Sequence, residues 1–325
     1  MKKTERRAYA KVNLALDVLA RREDGYHDIR SVMHAIDLYD RVIIRLIERG
    51  EIEAEADDKL QLVVSSDLPG LPGGEQNIAA KAARCFLAQQ PAPESVVAID
   101  IHLEKRIPVG AGLGGGSADA AAVLLGLNEL FGTGGKPLLE QSILMKMAAQ
   151  AGADVPFCLL SQQGVSCALA EGIGEQLMPL PELRGWIVLV CPPFQLDTAQ
   201  VYQAFDDIHE TEKVLPRLDF ERLREGLKNQ NWAAVEKGTG NALWPASRTL
   251  LPELEQLAGD FTKVVLETAA SSAGRVLPKM SGSGPSLFAL FCDQNEAEQV
   301  RRRFSYSLED VFIIRLGLDK NRAES

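Results

Sequence analysis

Residues 108–128 read PVGAGLGGGSADAAAVLLGLN. Five glycines (Gly110, Gly112, Gly114, Gly115 and Gly116) crowd the stretch before Ser117. After it, Ala120, Val123, Leu124, Leu127 and Phe131 repeat at helical spacing, which predicts an amphipathic helix opened by Ser117 and closed near Gly132. Upstream, Val97, Ile99, Ile101 and Leu103 alternate with Asp100 and His102, the pattern of a half-buried strand. The order is strand, glycine loop, helix. Glycine lacks a Cβ and tolerates positive φ, so backbone N–H groups can converge on a ligand. A helix N-terminus adds unpaired N–H groups and a partial positive charge. A glycine loop running into a helix is therefore a candidate phosphate site.

Two familiar nucleotide motifs fit poorly. No Gly-Lys-Ser/Thr closes the loop, so it is not a Walker A motif. Gly110, Gly112 and Gly115 satisfy the bare G-x-G-x-x-G spacing of a dinucleotide site, but neither Glu129 nor Glu140 ends a convincing second strand. Taken alone, the loop is as well read as a tight turn in a packed strand–helix corner.

Outward from the loop, residues 138–150 predict a second helix that runs into Gly152-Ala153-Asp154-Val155-Pro156. Pro179 and Pro181 suggest a linker, Trp186 to Cys191 a short strand, and Asp197 to about Leu257 a mostly helical stretch. A second glycine loop, KMSGSGPSLFALF, occupies residues 279–291, with Leu287 to Phe291 as a buried strand. The whole reads as an α+β chain of two domains, 1–165 and 166–325, with a soft boundary.

Composition narrows the function classes. The chain has 325 residues, 46% of them apolar and 25% charged, an ordinary globular balance. The formal net charge of −10 argues against a general nucleic-acid binder, which carries a basic excess. It also repels anionic substrates, but salt limits that repulsion to roughly 8 Å at physiological ionic strength. Local donors can hold a phosphate in spite of it. No apolar run reaches the roughly 18–20 residues that span a bilayer. The start, MKKTERRAYAKVN, lacks the apolar stretch of a secretory signal. Cys85, Cys158, Cys167, Cys191 and Cys292 are widely spaced, odd in number and without a C-x-x-C pair, which suits a reducing cytoplasm better than a disulfide framework or zinc site.

Three segments together resemble the GHMP kinase superfamily. PVGAGLGGGSADAAAVLLGLN is similar to its phosphate-binding motif, and KMSGSGPSLFALF to its C-terminal glycine motif, which packs beside the phosphate loop. AYAKVNLALDVLARREDGYHDIRSVM (8–33) resembles the N-terminal motif of the branch that phosphorylates a cytidine-diphosphate-linked methylerythritol at its 2-hydroxyl, on the way to isoprenoid precursors. The resemblance spans residues 8 to 291. It implies a two-domain fold, an N-terminal ribosomal-protein-S5-like domain and a C-terminal ferredoxin-like α/β-plait domain with the active-site cleft between them. It also implies ATP as phosphoryl donor, Mg2+ with it, and a small cytidine diphosphate substrate as partner.

Site residues follow from the same resemblance. Asp154, in GADVPF, matches the catalytic aspartate that takes or orients the acceptor's proton. Lys11 matches the lysine beside it, whose ammonium would hold that carboxylate ionised and stabilise charge on the acceptor oxygen. Read without the family, an aspartate after a helix is more often a cap, and a lysine more often a surface residue. Asn13, two residues along a strand, would share the face of Lys11 and meet the acceptor polyol. Tyr26 and His27 match a cytosine grip, one ring stacking and the other reading the base edge. Tyr202 and Thr198, in DTAQVY, match a second aromatic and a substrate contact. A tyrosine on an amphipathic helix is usually core.

On the donor side the resemblance assigns Pro108, Gly110, Gly112, Gly114, Gly115, Gly116 and Ser117 to the ATP phosphates, and Asn77 and Lys105 to the nucleoside. The plainer readings make Asn77 a helix cap and Lys105 a solvated strand end. One departure stands out. Relatives usually carry Asn-Asp-Leu-Glu where this chain has Asn241-Ala242-Leu243-Trp244, so both acidic groups are missing. The competing functions are another GHMP kinase acting on homoserine, mevalonate or a sugar, which has no use for a cytosine grip, and a non-catalytic module on this fold, which would be expected to lose Lys11, Asp154 or the loop. A dehydrogenase ranks last.

Overall fold

The computed structural model describes residues 2–49, 51, 60–72, 74–211, 217–268, 274–304 and 311–318. Two compact units divide the chain, and they are interleaved in sequence. Unit 1 comprises residues 1–10, 38–107 and 114–163; unit 2 comprises 11–37, 108–113 and 164–325. Two long strands, β1 (Lys2–Arg21) and β2 (His27–Glu48), contribute to both. The glycine loop passes from unit 2 to unit 1 between Leu113 and Gly114.

Unit 1 adds β3 (Gln61–Ser66), α1 (Ile78–Gln89), β4 (Val96–Glu104), α2 (Gly115–Leu130), α3 (Gln141–Ala151) and α4 (Val155–Gln162). Strand β4 runs antiparallel to β2, with Ile101 opposite Ile44 and Ile99 opposite Leu46, and parallel to β3. From Ile99 to Glu104 its residues alternate between buried and half-buried, as the sequence pattern requires. Helix α3 covers the second predicted helix with its start moved to Gln141.

Helix α2 departs from expectation in two ways. It begins at Gly115, with Gly114 as its left-handed cap at φ 70°, so Ser117 is the third helical residue rather than the first. It is also buried on all sides. From Ala118 to Leu130 only Glu129 is exposed. The apolar rhythm marked one face, but α1, α3 and α4 all pack around this helix. Alanines at 118 and 120–122 let them come close, and at Gly126 the absence of a Cβ admits Ile44 from the sheet.

Unit 2 adds β5 (Cys167–Gly172), β6 (Gln176–Pro179), β7 (Trp186–Val190), α5 (Thr198–Thr211), α6 (Phe220–Asn229), α7 (Trp232–Gly238), β8 (Gly240–Asn241), α8 (Trp244–Leu250), α9 (Glu253–Thr268), β9 (Arg275–Met280), β10 (Leu287–Phe291), α10 (Gln294–Arg303) and β11 (Val311–Arg315). A four-stranded antiparallel sheet has the order β11-β7-β10-β9, with Val188 between Ala289 and Ile313. Val188, Val190, Phe261, Phe291 and Val300 form its core with α9 and α10. In the same unit β5 pairs antiparallel with β2, β6 with β5, and β8 parallel with β1. Pro179, expected in a linker, instead ends β6, an edge strand where a missing N–H costs no ladder bond. The helical stretch after Asp197 resolves into α5 to α9, interrupted by β8; its residues 212–216 lie outside the described residues. All five cysteines are free thiols. No helix among the described residues is long and apolar enough to cross a membrane.

One buried histidine couples this unit to pH. His34 is fully enclosed; its Nδ1 donates to Ala35 O at 2.8 Å, and its Nε2 accepts from Leu183 N at 3.0 Å. Burial pulls its pKa below the ordinary value, and the accepting Nε2 fixes the neutral tautomer. The unfolded chain gains a proton here as pH falls below about 6.5, and the folded chain resists it. Stability from this group is therefore complete above that pH and declines below it. Urea unfolding of the native protein should show a steeper loss of stability between about pH 7 and pH 5 than unfolding of His34→Asn. Equal pH slopes would contradict the neutral assignment.

Candidate functional site

Unit 2 gathers the N-terminal motif and the second glycine loop around Asn13. Lys11 and Asn13 both lie on β1 and are 4% and 2% exposed, so Lys11 is no surface lysine. Their side chains share a face as the two-residue spacing predicts: Lys11 Nζ donates to Asn13 Oδ1 at 2.8 Å. Asn13 Nδ2 donates to Ser31 Oγ at 2.8 Å, and Ser31 Oγ to Ala15 O at 2.7 Å. Asn13 N donates to Ser281 Oγ at 3.3 Å, which in turn donates to Gly112 O at 3.1 Å. Lys11 N donates to Leu113 O at 2.9 Å. The strand bearing Lys11 is thus bonded to the end of the first glycine loop and to the second.

The two loops meet backbone to backbone. At Gly112, φ 73°, a Cβ would stand 2.5 Å from Ser281 O and 2.9 Å from Gly284 O, so any side chain would force them apart. Pro108 and Gly110 belong to the same unit. The departure at 241–244 falls here too. Asn241 Nδ2 donates to Met280 O (2.9 Å) and Gly282 O (2.8 Å), and its Oδ1 accepts from Leu243 N (2.9 Å). Ala242 and Trp244 pack against the unit's apolar core. The asparagine that fixes the second loop is retained, while the two replaced acidic positions carry apolar packing. Thr198 joins the same loop, with Oγ1 2.9 Å from Ser283 Oγ.

A second cluster of unit 2 holds the aromatic residues. Tyr26 follows a turn with Gly25 at φ 86°, and the residue is 59% exposed. His27 is turned inward at the start of β2. Its Nε2 lies 2.8 Å from Asp206 Oδ1, and its ring lies 4.8 Å from that of Tyr202 at a 30° tilt. Arg21 contacts the other oxygen of Asp206 at 3.3 Å. Tyr202 and Asp206 sit one turn apart on α5, which is why one helix face reaches His27 twice. The structure therefore brings His27 and Tyr202 together. Asp206 was missed in the sequence; its spacing from Tyr202 was the only signal.

Unit 1 holds the remaining predicted residues. The first turn of α2 is Gly115, Gly116 and Ser117, whose N–H groups lack intrahelical partners by their position. Asp154 occupies the cap position of α4 at φ −84° and ψ −14°, and its side chain makes no cap hydrogen bond. The ordinary reason for an aspartate there is thus absent. Asn77 does cap: its Oδ1 accepts from Ala79 N at 2.9 Å, while Nδ2 donates to Pro72 O. Lys105 is not a solvated strand end. Its side chain is 4% exposed, and Nζ donates to Asp40 Oδ2 and, at 2.5 Å, to Asp119 Oδ2. Burial draws its pKa down, but the two carboxylates outweigh that and hold it above the usual lysine value. The sequence assigns neither carboxylate this role, because aspartates 79 positions apart give no sign of meeting.

Residues 77–162 match the family model described as GHMP kinases N terminal domain, and residues 223–310 match GHMP kinases C terminal. The 4-diphosphocytidyl-2-C-methyl-D-erythritol kinase of Syntrophomonas wolfei is 37% identical over 309 residues, covering 95% of this chain and 96% of its own. That of Pelotomaculum thermopropionicum is 38% identical over 311 residues, with the same coverage. A crystal structure of 4-(cytidine 5'-diphospho)-2C-methyl-D-erythritol kinase superposes with a TM-score of 0.72 at 32% identity, covering 97% of this chain and 100% of that one. Homoserine kinase from Cytophaga hutchinsonii shares the fold, at a TM-score of 0.64 and 19% identity. The chain is an enzyme of the GHMP kinase family, the family of these 4-diphosphocytidyl-2-C-methyl-D-erythritol kinases.

Proposed function

We propose that this kinase transfers the γ-phosphoryl group of ATP to the 2-hydroxyl of 4-diphosphocytidyl-2-C-methyl-D-erythritol, giving the 2-phosphate and ADP in the non-mevalonate route to isoprenoid precursors. The observation that carries the substrate choice is the cluster of His27, Tyr202 and Asp206 beside exposed Tyr26. A flat heterocycle can stack there and meet a polar ring edge, which homoserine or mevalonate cannot use. Relatedness to kinases of that name over almost the full length supports the same reading.

The roles divide by chemistry. Gly114, Gly115, Gly116 and Ser117 offer N–H groups at the start of α2 to the nucleotide phosphates, with Pro108, Gly110 and Gly112 shaping the approach. Asn77 and Lys105 contact the nucleoside. Asp154 accepts or orients the proton of the acceptor hydroxyl, and Lys11 supplies positive charge for the oxygen it leaves. Asn13 and Thr198 bind the acceptor. Phosphoryl transfer is mostly positioning and charge stabilisation, so no strong base is required. Magnesium accompanies ATP and screens its phosphates. Such an ion takes most of its ligands from phosphate oxygens and water. That fits a protein with no cluster of three or more His, Cys, Asp or Glu suited to a metal among its described residues. The division into 1–165 with the first glycine loop and 166–325 with the second belongs to the same proposal, as does a cytoplasmic setting.

Three measurements test it. Purified protein with ATP and magnesium should release ADP with the cytidyl alcohol and not with homoserine or mevalonate; the opposite preference would overturn the substrate. Asp154→Asn should lower kcat by about 100-fold or more with little change in KM, the usual scale for a proton-handling group. Near-native turnover would remove Asp154 from its role. Tyr26→Ala should raise KM for the cytidyl substrate by about 5- to 100-fold, the scale of one base stack, and leave KM for ATP nearly unchanged. An equal loss on both substrates would place Tyr26 elsewhere.

A further inference from the structure

Beneath the first turn of α2 lies a buried ionic cluster whose arrangement exceeds what packing needs. Asp40, on β2, accepts from Arg106 N at 2.5 Å and Ile107 N at 2.8 Å through Oδ1, and from Lys105 Nζ through Oδ2. Lys105 then reaches across to Asp119 on α2. The three side chains are at most 4% exposed. Asp119 Oδ1 is buried with no hydrogen-bond partner among the described residues. At Gly115 a Cβ would lie 3.0 Å from Ile107 Cγ2 and 3.7 Å from Lys105 Nζ. The helix end that offers N–H groups therefore rests directly on residues 105 and 107.

Such a cluster is costly. Two carboxylates and one ammonium out of water lose hydration that their attraction only partly returns, and apolar residues of like volume often stabilise as well or better. The charges are also unbalanced beneath a site for anions, where an extra negative charge opposes binding. Burial pushes the Asp119 carboxyl up to about 7, against the pull of Lys105, which relieves part of that excess. What the cluster provides is fixed geometry: Asp40 grips the backbone of 105–107, and Lys105 ties that segment to α2.

We propose that Asp119 and Asp40 are positioning residues of the nucleotide site, clamping Lys105 between them so that the first turn of α2 and the Lys105 ammonium are presented to ATP in one fixed arrangement. Lys105 has three N–H donors, and the clamp uses two, aiming the third. The inference rests on the nucleotide reading above and adds two residues that touch no substrate.

Asp119→Ala and Asp119→Asn separate geometry from charge. Both remove the carboxylate's charge, but asparagine keeps an oxygen for Lys105. If charge alone mattered, both variants would bind ATP alike, and more tightly than the native protein. If the clamp positions Lys105, titration calorimetry with Mg-ATP should show Kd raised about tenfold in Asp119→Ala, the scale of one lost charged hydrogen bond, and within about threefold of native in Asp119→Asn. In turnover, KM for ATP should rise in Asp119→Ala while KM for the alcohol stays unchanged. A lower Tm with unaltered Kd for ATP would leave Asp119 a purely structural residue and overturn the proposal, as would equal behaviour of the two variants. Should Asp119→Ala not fold, Asp40→Asn carries the same expectation, since it keeps an acceptor for Arg106 N and Ile107 N but turns a donor toward Lys105. Native protein without affinity for Mg-ATP would overturn the nucleotide reading itself, whereas native binding with an unaffected Asp119→Ala would overturn the clamp alone.

Discussion

The constraint on which most of unit 2 depends is the approach of two backbones with no side chain between them. Ser281 O and Gly284 O occupy the space that a Cβ at residue 112 would need. Because that space is open, Ser281 Oγ can bond to Gly112 O and receive Asn13 N. Asn13 then holds Lys11, and Asn241 ties the second loop from its other side. A larger residue at 112 would separate the loops and loosen each of these contacts in turn. Glycine here serves proximity, and positive φ at Gly112, Gly282 and Gly284 lets both loops turn tightly enough to use it.

Electrostatics in this protein is a local matter. A chain with net charge −10 handles anionic substrates by placing a few donors where water is scarce. Unit 2 buries one ammonium, Lys11, against an amide oxygen; unit 1 buries another, Lys105, between two carboxylates. The cation held between two acids gives up most of its field to them and gains a fixed position. His27 and Arg21 share one carboxylate, Asp206, each meeting a different oxygen of it.

The departure at Asn241-Ala242-Leu243-Trp244 illustrates how position in the fold decides what a substitution means. In sequence, the loss of two acidic residues from a familiar motif suggests lost chemistry. In the structure, Asn241 carries the polar bonds, and Ala242 and Trp244 lie against the apolar core of the unit.

Local regularities were decided by the sequence alone: the alternating strand β4, the glycine loop entering α2, the second loop before β10, and the shared face of Lys11 and Asn13. Each follows from residue spacing, because backbone geometry sets the period at which side chains return to the same side. Motif resemblance carried the family, the two-domain α+β class and the candidate residues. The folded chain alone decided how those parts are partnered. It enclosed α2 on all sides, made Lys105 a buried clamp, gave His27 its Asp206 and seated His34 against Leu183 N. Those pairings join residues 14 to 179 positions apart, and no periodic signal links them. They exist because burial removes water as a partner, leaving each enclosed polar group to find another from whatever the packing brings within reach.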